Sequence, residues 1–220
     1  MNLLINNIAN ELLSLLFPIE CLGCNKENTY LCNDCLCSIK LHQTVELFEH
    51  PLKYVDAIWT ATDYKNQFIQ SAIHNLKFRY IKELAEPLSR LLINYFQQIK
   101  IVINDPIIIP VPLNNKRLLE RSFNQSELIG KPLAEYFGFK MMTGIVERRL
   151  NTLHQVGLNK KQRLTNLQNA FKIINPDSIK NKNIILIDDV VTTGSTLEEI
   201  AKSLKENGAS KVYGLAVAKD

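Results

Sequence analysis

Asp188 and Asp189 stand side by side, directly after the apolar run Ile184-Ile185-Leu186-Ile187 and directly before Val190-Val191-Thr192-Thr193-Gly194-Ser195-Thr196. A continuous, mostly β-branched apolar run bounded by turn residues predicts a strand buried on both faces. The acids are then expected at its carboxyl end, where open α/β sheets bind ligands. The Thr/Gly/Ser turn faces the start of the next helix. Free backbone N–H groups and the helix dipole favour a phosphate there, and Gly194 permits close approach. Paired carboxylates beside such a cradle fit a sugar phosphate, with the acids accepting hydrogen bonds from sugar hydroxyls. Asp, Thr and Ser also serve as ordinary helix caps. Against that plainer reading, thirteen consecutive residues fit one strand–acid–acid–loop–helix plan.

A second constellation is Cys21-x2-Cys24-x7-Cys32-x2-Cys35. Each CxxC pair presents two thiolates on one tight turn, and four thiolates suit tetrahedral zinc. Redox dithiols or an iron–sulfur cluster would use the same ligand type, but the linked double pair favours zinc. Four protein ligands leave no open coordination position, so the expected role is structural. Cys37 is a fifth cysteine, read as a plain structural residue.

Cations form the third group. Residues 105–112, DPIIIPVP, predict a buried strand ending in a proline-bracketed turn at Pro112. Lys116, Arg117 and Arg121 follow, just past the strand end, where a pyrophosphate would need their charge and Arg would meet its oxygens with a bidentate fork. Lys77-Phe78-Arg79-Tyr80 interleaves cations with aromatics, a pattern that can hold phosphate or stack bases. Solvated surface charge is the alternative for both groups.

These residues need elements to position them. Strands are expected over 55–64 and 211–218, and helices over 66–78, 82–99, 124–137 and 196–207, with Gly138 and Gly208 as stops. Residues 144–171 carry amides and cations with little apolar periodicity, and predict a mobile stretch or lid. Leu4, Ile8, Leu12, Leu15 and Leu16 fall near one face of an amphipathic helix in residues 1–17. That stretch has no Lys or Arg for a secretory signal, and it is too short and polar to span a bilayer, so a cytoplasmic protein without a membrane span is expected. Disulfides are correspondingly not expected. The 220 residues, 46% hydrophobic and 22% charged with net charge +4, suit a globular α/β domain with an appendage. The expected parts are a helix at 1–17, a four-cysteine knuckle at 18–45 and a Rossmann-like parallel-sheet core at 46–220.

The 184–196 segment resembles the binding motif of type I phosphoribosyltransferases for phosphoribosyl pyrophosphate (PRPP). The resemblance implies that Asp188 and Asp189 hold the ribose hydroxyls and that Val190, Val191, Thr192, Thr193, Gly194, Ser195 and Thr196 hold the 5′-phosphate. It further implies a pyrophosphate loop after an early strand, Mg²⁺ on the pyrophosphate, and a flexible catalytic loop in the interval holding Arg148, Arg149, Gln155 and Arg163. Over nearly its whole length the chain resembles the ComF family of competence-associated proteins. The matching residues are the cysteine knuckle, Lys77-Phe78, Pro110-Val111-Pro112, Arg121-Ser122-Phe123-Asn124-Gln125, Arg149, Thr152, Gln155, Arg163, Asn166, Ala170-Phe171 and Asp188-Asp189.

This second resemblance implies a cytoplasmic protein handling incoming single-stranded DNA during natural transformation, with the competence helicase-type translocase as candidate partner. A phosphoribosyltransferase for a small acceptor and a non-enzymatic DNA-uptake adaptor are the alternative functions. In one departure from the family pattern Ser122 replaces a glycine, so that turn is expected to avoid a glycine-only conformation. In another, no nucleobase-recognition hood follows the last strand, which leaves the N-terminal helix and knuckle to supply one.

Overall fold

The structure, a computed structural model, describes residues 18–43, 52–148 and 170–220. The expected helix at 1–17 and loop residues Arg149, Gln155 and Arg163 lie outside the described residues.

Five strands build one parallel sheet: β1 (Ala57–Asp63), β2 (Ile107–Pro110), β3 (Lys140–Met141), β6 (Asn183–Val191) and β7 (Lys211–Lys219), in the order β1-β7-β6-β2-β3. Ile107↔Ile184 starts the β2–β6 register, and Asp188↔Ala216 extends the β6–β7 pairing through the first acid. Successive side chains of a strand point to opposite faces. In β6, Ile185 and Ile187 enter the apolar cluster on one face, while Ile184 and Leu186 enter the cluster on the other. Both faces are therefore covered, which is why the run reads as uninterrupted hydrophobicity rather than alternation.

One face carries helices α2 (Gln67–Phe78), α3 (Ala85–Gln98) and α5 (Gln125–Phe137); the other carries α6 (Ser195–Glu206). Asn66 caps α2 by accepting from the N–H groups of Phe68 and Ile69 at 3.0 and 3.2 Å. Ile69, Ala72, Ile73 and Leu76 form its fully buried stripe. Helix α6 buries Leu197, Ile200, Ala201 and Leu204, as their spacing predicts. It lies unusually close to β7: a Cβ added at Gly214 would meet Leu197 Cδ1 at 2.7 Å. The absent side chain thus sets how near the N-terminal end of α6 sits to the sheet.

Several expectations change. Strand β6 runs through both acids to Val191, so the acids lie inside the strand and the turn shrinks to Thr192–Gly194. Residues 115–121 are a helix, α4 (Asn115–Arg121), capped by Asn114, where the sequence reading had only a cation-bearing segment. Within the expected lid, Val146–Arg148 (β4) pairs antiparallel with Phe171–Ile173 (β5), so both flanks of 149–169 are tied into a ribbon. Ser122 does not avoid the glycine-favoured region: it ends α4 in the left-handed conformation at φ 61°.

The knuckle is not separately cored. Cys21, Leu31, Cys32, Cys35, Leu36 and Ile39 belong to the same buried cluster as α2, α3 and α5. Arg90 on α3 donates to Asn33 Oδ1 at 2.7 Å, and Thr62 on β1 donates to the Lys40 carbonyl at 2.8 Å. Among the described residues, no helix is long and apolar enough to cross a membrane.

Candidate functional site

Beyond the end of β6 lies a hollow of about 40 Å³ lined by Asp188, Val190, Val191, Thr192, Gly194, Ser195, Thr196 and Leu197. That is roughly three times the space one water requires. Gly194, at φ 75°, is the N-cap of α6 and supplies no side-chain cap, so the N–H groups of a twelve-residue helix open toward the hollow. An anion is the natural occupant of such an end. Thr193 does not line the hollow; its hydroxyl donates to Ser195 Oγ at 3.0 Å and so shapes the turn.

The two acids alternate along the strand but are not fully separated, since their side chains still interact with one another. Asp188 is half-buried on the hollow side. Its Oδ1 accepts from Ser126 Oγ at 3.2 Å and from the Asp189 N–H at 2.9 Å. Asp189 is only 2% exposed and faces α2 and α5, where the Lys77 ammonium pairs with Oδ2 and Gln125 Nε2 donates to Oδ1 at 3.3 Å. Burial would raise both carboxyls. For Asp189 the charge and hydrogen bond of Lys77 outweigh it and hold the group below its ordinary value. For Asp188, burial and then the neighbouring Asp189 charge prevail over Lys77 and push it up to about 8.

The candidate cations separate in the same way. Lys77 is the counter-ion of a buried acid. Lys116 and Arg117 are exposed on α4, and Lys116 reaches Glu120 at 4.0 Å. Arg121 is buried at 7% exposure, donates from Nη1 to Gln125 Oε1 at 3.1 Å, and lies 5.4 Å from the Phe78 ring centroid. Burial first, then the charge of Arg117, lowers both Arg121 and Arg148, so these guanidiniums share one electropositive neighbourhood. Pro112 sits half-buried just past β2, and Asn124 Nδ2 donates to the Val111 carbonyl at 3.0 Å, fastening the α5 cap to that strand end.

Arg79 is exposed, beside Phe78 and Tyr80 at 59% and 48% exposure. Arg79 also lines a groove of about 500 Å³ with Leu22 of the knuckle and Tyr64, Gln67, Gln70 and His74.

Cys21, Cys24, Cys32 and Cys35 converge with their sulfurs all within 4.8 Å of one another. Tetrahedral zinc with Zn–S near 2.3 Å would place sulfurs about 3.8 Å apart, and Cys24 and Cys32 stand at 3.5 Å. Burial opposes a Cys21 thiolate, but N–H groups led by that of Cys32, 3.3 Å from Sγ, bring the thiol down to about 6. Gly23 leaves room for the cluster: a Cβ there would meet Cys35 Sγ at 2.7 Å. The four cysteines can hold a metal ion. Cys37 lies apart and exposed.

Three residues in or behind the site drew no role from the sequence. Gln125 and Ser126 follow the α5 cap, and only the tertiary fold brings them onto the acids. Glu198, in the first turn of α6, accepts from the N–H groups of Lys53 (2.7 Å), Tyr54 (2.9 and 3.2 Å) and Val55 (3.0 Å). An acid in a first helical turn is a weak signal on its own, and nothing local links it to residues 53–55.

Residues 133–219 match the phosphoribosyl transferase domain family. The chain is 30% identical to competence protein F of Haemophilus influenzae over 209 residues, covering 92% of this chain and 86% of that protein. It is 38% identical over 143 residues to DNA utilization protein YhgH of Salmonella typhi, covering 64% of this chain and 62% of that protein. The match therefore spans less than two thirds of the Salmonella protein. A solved hypoxanthine phosphoribosyltransferase from Staphylococcus aureus aligns with 16% identity and a TM-score of 0.39, over 62% of this chain and 65% of that one.

Proposed function

The chain belongs to the family of competence protein F and carries a phosphoribosyl transferase domain; on that premise we propose that it binds PRPP and handles single-stranded DNA in the cytoplasm. The observation that carries the PRPP reading is the hollow at the uncapped start of α6, with Asp188 on its wall. Thr192, Gly194, Ser195, Thr196 and the helix N–H groups receive the 5′-phosphate, with Thr193 shaping the turn, and Asp188 accepts from a ribose hydroxyl. Arg121, with Lys116 and Arg117 on α4, stands toward the pyrophosphate. Mg²⁺ bound with the ligand would neutralise part of the pyrophosphate charge beside these cations. Zinc is the metal we assign to the four thiolates, in a structural role.

The DNA reading is supported by two exposed aromatics flanking an exposed cation, Phe78-Arg79-Tyr80, and by the names of the relatives above. Aromatic faces stack bases with little regard to sequence while cations follow phosphates, so such binding weakens steeply with salt.

The test is calorimetric titration of PRPP with Mg²⁺ into zinc-loaded protein, beside Asp188→Asn. Saturable binding that the variant weakens supports the reading; wild-type protein that releases no heat at millimolar PRPP overturns it. For DNA, anisotropy of a labelled oligonucleotide at low salt must rise on adding protein and collapse as salt is raised. Pyrophosphate release on adding a small acceptor would make the chain a transferase as well as a binder.

A further inference from the structure

The outer face of α2 carries side chains that the PRPP site does not use. Residues 67–76 hold no Asp, Glu, Lys or Arg, although charged residues ordinarily furnish the solvated face of a surface helix. In their place Gln67, Gln70 and His74 stand three and four residues apart, so they form one row. The row lies opposite the buried stripe of Ile69, Ala72, Ile73 and Leu76. At 1.5 Å per residue it is about 10 Å long. Phe78 continues it, with its ring centroid 4.9 Å from that of His74.

This row is walled. Leu22 of the knuckle and Tyr64, just past β1, close it into the groove of about 500 Å³ that Arg79 also lines. A Cβ at Gly23 would meet the Phe68 ring at 3.3 Å, so the knuckle turn rests directly on α2. The Leu22 N–H donates to the Tyr30 carbonyl at 2.9 Å, which holds that wall in place. The volume is that of a small-molecule site. Among the described residues no carboxylate lines the groove; Asp63, next to Tyr64 in the chain, lies 3.4 Å from His42 Nε2 instead. The lining therefore offers amides, ring faces and a guanidinium with no acid to repel an anion. An amide donates and accepts side by side, as the edge of a base does. Aromatic rings stack on base faces, and a guanidinium matches a phosphate.

We propose that the groove between the knuckle and α2 is a nucleobase site. Gln67 and Gln70 meet the base edge, the rings of Tyr64 and His74 meet its face, and Arg79 meets the attached phosphate. The site goes beyond the PRPP reading and stands without it. It moves the nucleic-acid contact from the exposed Phe78-Arg79-Tyr80 turn into a walled groove. A base in a single strand and a base in a free nucleotide present the same edge, face and phosphate.

The experiment separates base from backbone and strand from nucleotide. Short oligonucleotides of adenine, cytosine or thymine, an abasic strand of equal length, and the free nucleoside monophosphates are each titrated into the full zinc-loaded chain. The same titrations are run on Gln67→Ala/Gln70→Ala, Arg79→Ala and Phe78→Ala/Tyr80→Ala. Both glutamines are exposed and alanine favours a helix, so that variant keeps the fold. It should weaken base-bearing ligands by about five- to a hundredfold and leave the abasic strand within about twofold. Arg79→Ala should reduce the slope of log affinity against log salt by about 1. An oligonucleotide that binds more tightly than the monophosphates identifies a strand as the source of the base, and the reverse identifies a free nucleotide; both support the site. Equal affinity for abasic and base-bearing strands, or wild-type affinity in Gln67→Ala/Gln70→Ala, overturns it. If binding is then lost in Phe78→Ala/Tyr80→Ala, the DNA reading stands while this groove does not. Wild-type protein that binds none of these ligands overturns both.

Discussion

Removing the Glu198 carboxylate should loosen the helix whose start opens on the hollow, although Glu198 does not line it. The carboxylate gathers three consecutive N–H groups, those of Lys53, Tyr54 and Val55, at 2.7 to 3.2 Å. Hydrogen bonds to a charged group are worth about 1.5–3 kcal/mol each. Glu198 is half-exposed and water can replace part of each bond, so about 1 kcal/mol apiece is the fair figure, near 3 kcal/mol for Glu198→Ala. For a chain of this size that lowers Tm by about 6–12 °C. Glu198→Gln keeps one accepting oxygen but turns an NH₂ toward a remaining N–H, and should lose roughly half as much. Urea unfolding followed by far-UV dichroism and by fluorescence of Trp59, the single tryptophan, reads the change directly. Trp59 is buried and stacked on Tyr213 at 4.9 Å, so its emission reports the β1–β7 pair. A Glu198→Ala variant within about 0.5 kcal/mol of wild type would refute the reasoning, because so small an effect is that of an ordinary surface substitution.

Further outcomes follow from particular contacts. Ser122→Gly should stabilise the protein by about 1 kcal/mol, since a left-handed conformation costs a side chain about that much, and a higher urea midpoint with an unchanged slope would show it. Gly214→Ala should cost about 1–3 kcal/mol by overpacking against Leu197, with a matching fall in PRPP affinity in the same titration as α6 is pushed from the sheet. Stripping the metal with a chelator should lower the Trp59-detected transition as well, because Leu31 and Leu36 share a core with α2 and α3; an unchanged transition would show that the knuckle is energetically separate. Asp188, raised to about 8 in the fold, keeps a proton that the unfolded chain gives up near pH 4. Its contribution to stability is therefore present below pH 4 and is lost as pH rises through 8. Asp189 is shifted the other way, so its contribution is lost only in acid, below its ordinary range. Thermal melts from pH 5 to 8.5 should accordingly show a slope that Asp188→Asn flattens.

Much of the fold was legible because burial on both faces leaves a strong signature. The run at 184–187 announced a central parallel strand, and the 3–4 spacing of Ile69, Ala72, Ile73 and Leu76 announced an amphipathic helix; both stand as read. The cysteine spacing likewise placed four sulfurs together. What could not be read was direction. Adjacent acids look equivalent in one dimension, and only the fold gives Asp188 the hollow and Ser126 and gives Asp189 the partners Lys77 and Gln125. Helix α4 escaped notice because Lys116, Arg117, Leu118, Leu119 and Glu120 are all exposed, leaving no apolar stripe to betray it. The partners of Lys77 and Glu198 lie far away in sequence, and such contacts leave no local trace.

The strand order also sets a timetable for synthesis. Among the described residues, strand β1 pairs only with β7, and Ala57 meets Tyr213. At about 5–20 residues per second a ribosome needs roughly 10–30 s to make the stretch between them. Throughout that interval Ile58, Trp59 and Ala61 are a β-prone segment without its neighbour, the kind of sequence that joins other nascent chains. The flanking charges Lys53, Asp56, Asp63 and Lys65 are well placed as gatekeepers during the wait. Truncated chains lacking β7 should depend on holdase chaperones far more than the finished protein does.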